Sequence, residues 1–63
     1  MADFKVENHG TVFLVQPLNV AAQAHLEENV EEDAQWFSGA LVVEHRFIGG
    51  LVSSLREDGW EVE

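Results

Sequence analysis

The side chains able to do chemistry are three histidines, twelve carboxylates and four hydroxyls, and their spacing decides among the reactions open to them. His9, His25 and His45 never recur at i, i+4, the spacing that stacks two imidazoles on one helical face for a metal. There is no cysteine, which excludes disulfides, thiolate zinc sites and thiol nucleophiles. Glu44 and His45 adjoin as an acid–base pair would, but neighbours on a strand point to opposite faces. His45 reads better as the first residue of a helix. Thr11, Ser38, Ser53 and Ser54 sit in no nucleophile elbow, and Gly49-Gly50 lacks the lysine that completes a phosphate loop. A chain of 63 residues also leaves little depth for an enclosed site, which usually needs ~300 Å³ or more. The residues therefore point away from an enzyme, and no cofactor or metal is expected.

What remains is a cluster of acids. Glu27, Glu28, Glu31, Glu32 and Asp33 fall at the C-terminal end of an expected helix, with Trp36-Phe37 close behind. The helix macrodipole is already negative there, so each acid costs a few tenths of a kcal/mol to ~1 kcal/mol. Selection for stability alone would put them at the other end. That misplacement suggests a surface for a basic partner, with a solvated, salt-screened face as the alternative. Aromatics beside charge are common interface anchors. Of the two, Trp36 is expected to be the more exposed, with at least one completing the core. The predicted partner-binding residues are Glu27, Glu28, Glu31, Glu32, Asp33 and Trp36.

The charge balance agrees. Twelve acids against three bases give a formal net charge of −9. Such a surface repels nucleic acid and anionic membrane, both of which select basic proteins, and attracts basic proteins. No apolar run approaches the ~20 residues of a membrane span. The longest are Val12–Val15 and Ala40–Val43. Met1-Ala2-Asp3-Phe4-Lys5 lacks the basic-then-apolar pattern of a signal peptide, so a cytoplasmic protein is expected.

These residues need a scaffold. Phe4 and Val6 alternate with Lys5 and Glu7 as a half-buried strand. Asn8-His9-Gly10 supplies a turn into a second strand over 11–16, apolar on both faces, which Pro17 ends. Asn19 caps a helix over about 20–30 whose Ala22, Leu26 and Val30 form the buried stripe. Residues 31–39 read as a loop. The β-branched run 40–44 reads as a central strand covered on both sides. Phe47, Ile48, Leu51, Val52 and Leu55 repeat at helical period over 46–57 and are expected to be buried. Gly49, Gly50, Ser53 and Ser54 flank that stripe, as if for a close approach. Asp58-Gly59 ends the helix, and Trp60–Val62 alternate as a short last strand. The prediction is one α+β domain over 1–63 in ββαβαβ order, a small, mainly antiparallel sheet with two helices on one face. A domain this small buries only about 60 % of its unfolded surface. Without disulfides it would gain by pairing, so a homodimer is expected.

Glu7-Asn8-His9-Gly10-Thr11, Pro17-Leu18, the alanine-rich helix and Val42-Val43-Glu44-His45-Arg46 together resemble a family of short, acidic, uncharacterised proteins of bacterial and prophage genomes. The resemblance implies a bacterial or phage setting and no activity or functional residue. In that setting, the expected function is a non-catalytic module that presents acid to a basic partner, with a nucleic-acid-handling host protein as its target. The alternative is a self-associating assembly protein whose charge only keeps it dissolved.

Overall fold

The first hairpin closes on local chemistry. Asn8 Oδ1 accepts the Gly10 N–H at 2.9 Å, and the His9 N–H donates to the Val12 carbonyl at 2.9 Å. Gly10 itself takes φ +90°, outside the range of most side chains. The computed structural model describes residues 2–30 and 32–63. In it, β1 (Phe4–Asn8) and β2 (Val12–Pro17) run antiparallel with Val6 opposite Val15. Asn19 then caps α1 (Val20–Asn29), its Oδ1 accepting the Ala22 N–H at 2.8 Å. Val30 ends this helix in an extended conformation.

Residues 36–37 form a short strand where a loop was expected. Ser38 and Gly39 both take positive φ, +51° and +82°. Two such residues make the tight turn whose twist suits a hairpin, and they fold β3 (Trp36–Phe37) onto β4 (Ala40–Glu44). β4 pairs with β2, and α2 (His45–Glu57) follows without a break. The sheet order is β1-β2-β4-β3, all antiparallel. The two strands read as apolar on both faces, β2 and β4, are the central pair.

The expected last strand is reduced to one bridge, Val62 running parallel beside Phe4. Backbone bonds from Asp3 and Phe4 N–H to the Glu61 carbonyl, at 2.8 and 3.1 Å, hold the segment there. It covers the outer edge of β1, which would otherwise offer unpaired backbone groups. The observed order is thus ββαββα closed by a C-terminal strap. The fold is the expected small α+β one.

The core lies between one sheet face and both helices. Phe4, Val15, Leu41 and Val43 share that face and meet Ala22 and Leu26 of α1 and Leu55 of α2. Trp60 joins them, its ring edge-on to Phe4 at 5.5 Å and its other flank against His25 at 5.0 Å. In α2, Leu55 is buried and Ile48, Leu51 and Val52 are half-buried, but Phe47 is exposed. Its position, about a quarter-turn off the centre of the stripe at 100° per residue, explains this. The ring lies under the Arg46 guanidinium instead, 5.0 Å from its centroid. Gly49 and Gly50 are exposed, and a Cβ on either would touch nothing. The expected close approach at these glycines does not occur.

One carboxylate adds to the strap's backbone bonds. Asp3 Oδ2 accepts the Glu61 N–H at 3.0 Å, and Oδ1 accepts from Asn19 Nδ2 at 2.9 Å. These two bonds, the backbone one first, hold the Asp3 carboxyl below the ordinary aspartate range. A carboxyl with a lowered folded-state pKa stabilises the fold above its unfolded pKa. That contribution is lost as pH falls through the folded value. Acidification from about pH 4 downward should therefore release Glu61 first, seen as loss of amide protection at Glu61 and Glu63. Asp3→Ala should produce the same release at neutral pH. Equal protection in the variant would show that the strap does not depend on Asp3.

Candidate protein-binding site

Of the predicted acidic set, the described members are exposed, but they do not all line one concavity. Glu27 and Glu28 are exposed on the last turns of α1, and Glu32 and Asp33 are exposed in the turn beyond it. Glu31, predicted with them, lies outside the described residues. The last turn of α1 holds no basic residue, so its negative end meets carboxylates without local compensation.

Two of these acids share a concavity with Trp36. Gln23, Glu27, Val30, Glu32, Trp36 and Gly39 line an open pocket of about 410 Å³. Each element contributes for a local reason. Gln23 and Glu27 are one turn apart on α1, so both present to the same side. Val30 leaves the helix extended, which turns the chain so that Glu32 comes round beside Glu27. The Ser38-Gly39 turn holds β3 against β4, and Trp36, opposite Leu41, projects to the helix-bearing side of the sheet. Glu28 and Asp33 do not line the pocket. The site is a groove open to solvent, so its volume does not make the enclosed cavity that catalysis favours.

The aromatic pair departs from expectation. Neither Trp36 nor Phe37 completes the core. Trp36 is 40 % exposed and Phe37 62 %, so Phe37 is the more exposed of the two. They lie on a two-residue edge strand and point to opposite faces. Trp36 reaches the pocket beside α1, while Phe37 stands on the face that carries no helix. The aromatics of the core are Phe4, fully buried, and Trp60, partly buried against it.

The lining brings together two carboxylates, an amide side chain, an indole and the aliphatic side chain of Val30. A lysine ammonium or arginine guanidinium suits it, paired to acid and laid against the indole. Among the described residues no group of three or more His, Asp and Glu could hold a metal ion. Glu44 binds Arg46 Nε at 3.1 Å and makes no pair with His45. No helix among the described residues is long and apolar enough to cross a membrane. No family model, curated protein or solved structure matches the chain.

Proposed function

We propose that the protein is a non-catalytic binding module whose groove at Glu27, Glu32 and Trp36 accepts a basic side chain of a protein partner. The observation that carries this reading is the convergence of two helix-end carboxylates and a half-exposed tryptophan on one concavity. Carboxylates at the negative end of a helix cost stability, and a cation bound there relieves that cost. The indole adds about 0.5–2 kcal/mol, depending on how far the cation is desolvated. The net charge of −9 steers the encounter. A partner that normally holds nucleic acid is the natural target, because a surface built for phosphate accepts carboxylate by the same attraction. A phage-borne inhibitor would work in this way.

Capture of purified basic proteins on the immobilised chain, washed at rising salt, tests the reading. Trp36→Ala should cost about 2 kcal/mol, or ~30-fold in affinity, as interface tryptophans do, and it should act mainly by faster release. Because Trp36 lies outside the core cluster, its melting temperature should stay near wild type. Unchanged capture by Trp36→Ala would remove the pocket from the account.

A further inference from the structure

The helix-free face of the sheet is built to be covered. Its side chains are Lys5, Glu7, Val12, Leu14, Gln16, Phe37, Ala40, Val42 and Glu44. Five of these nine are apolar, and they form one stripe through the centre and the β3 corner, in which Ala40 is already buried and Val12, Leu14 and Val42 are half-buried. A sheet face meeting water alternates against its packed face. β2 and β4 do not alternate, although only one of their faces meets helices. Phe37, 62 % exposed, is the most open residue of the stripe.

We propose that this face packs against the same face of a second copy of the chain. The layout itself argues for a twofold partner. Glu7, Leu14 and Val42 form the middle row, Val12 and Glu44 the row on one side, and Lys5, Gln16, Ala40 and Phe37 the row on the other. On a lattice of ~4.8 Å between strands and ~6.8 Å between same-face neighbours, Lys5 and Glu44 lie on opposite sides of Leu14, each ~8 Å away. The line joining them is perpendicular to the line from Leu14 to Phe37. A twofold axis laid along Leu14–Phe37 therefore stacks Leu14 on Leu14 and Phe37 on Phe37. The same rotation carries Lys5, the only cation on this face, onto Glu44 of the other copy. A carboxylate has two oxygens, so Glu44 can serve this lysine as well as Arg46. The strands of the two sheets then cross at about 70°, close to the orthogonal class of sheet packing.

Size fits too. A standard interface takes about 800 Å² from each partner, under a fifth of this chain's 4398 Å². Most of the acid lies elsewhere, since Glu7 and Glu44 are the only carboxylates among the described strand residues of this face. The repulsion between two chains of net charge −9 is therefore long-range and falls with salt.

This interface is independent of the basic-partner groove, and salt separates the two. Self-association should tighten as salt rises, whereas capture of a basic protein should weaken. Sedimentation from micromolar to millimolar concentration should show a dimer for wild type and for Val20→Asp, a control on an 83 % exposed position of α1. Phe37→Asp should weaken the dimer by about tenfold or more while keeping the wild-type circular dichroism. Because the chain has no cysteine, single thiols report position cleanly. A short bis-maleimide should join the Leu14→Cys and Phe37→Cys variants into dimers and leave Val20→Cys monomeric. A wild-type chain that stays at 7.1 kDa at high concentration and high salt overturns the proposal. So does a Phe37→Asp variant that dimerises like wild type.

Discussion

Phe4→Ala is expected to unfold the protein at room temperature or leave it at the edge of unfolding. Phe4 is fully buried and is the largest of the fully buried side chains. It touches both ends of the chain's architecture, pairing with Pro17 across the hairpin and bridging to Val62 of the strap. Its ring also supports Trp60. Truncating a buried phenylalanine costs about 3–5 kcal/mol. At ~0.05–0.15 kcal/mol per residue, a 63-residue domain has only about 3–9 kcal/mol in total. At the middle of both ranges the substitution removes about two-thirds of the stability. Urea titration followed by circular dichroism measures it. Val20→Ala, at an 83 % exposed position of α1, is the control and should shift the midpoint little. A Phe4→Ala midpoint close to wild type would show that the core is not centred where the packing places it.

The second large effect has the opposite sign. Gly49→Ala and Gly50→Ala should each stabilise by about 1 kcal/mol, the helix-propensity gap between the two residues. Both glycines are mid-helix and exposed, and a Cβ on either would meet nothing. For a domain of this size each kcal/mol moves the melting temperature by about 4–8 °C, so the double substitution should be plain in a thermal melt. A melting temperature unchanged or lowered would mean that the outer surface of α2 is in contact with something, another subunit or a ligand.

Those glycines also show where the chain could and could not be read. At 100° per residue Gly49 and Gly50 fall away from the Ile48–Leu51–Val52–Leu55 stripe and Phe47 lies at its margin, so the expected close approach and the expected burial of Phe47 both ran against the helical period. The same stripe located α2 to within a residue, and Asn19 with its alanines located α1. The Asn8–Gly10 turn located the first hairpin. β3 was missed because two residues have no period, and its signal lay in the Ser38-Gly39 dipeptide. The C-terminal segment alternates like a strand, yet it meets β1 through a single bridge. Its attachment includes a bond to Asp3, 58 positions away from Glu61, which no local pattern reveals.

The site was legible in composition and not in detail. Misplaced acid at the end of α1 marked the region. Which carboxylates converge depends on the extended turn at Val30 and on the side from which Trp36 leaves β3. Of the predicted set, Glu27, Glu32 and Trp36 come together, and Glu28 and Asp33 stand outside the groove. Trp36 and Phe37 were misjudged because burial at a sheet edge depends on what lies above it. α1 and its turn leave Trp36 half open, and Phe37 stays 62 % exposed on the face that carries no helix.

The groove is tested most directly by following backbone and indole resonances as a lysine-rich peptide is added, at low and at high salt. For wild type, the shifts should concentrate at Gln23, Glu27, Val30, Glu32, Trp36 and Gly39 and fade as salt rises. The Glu27→Gln/Glu32→Gln variant should keep the fold, gain slightly in stability as helix-end repulsion falls, and lose those shifts. Shifts spread evenly over Glu7, Glu44, Glu57 and Glu63 as well, and persisting in the variant, would contradict the account and leave the acid as a means of solubility alone.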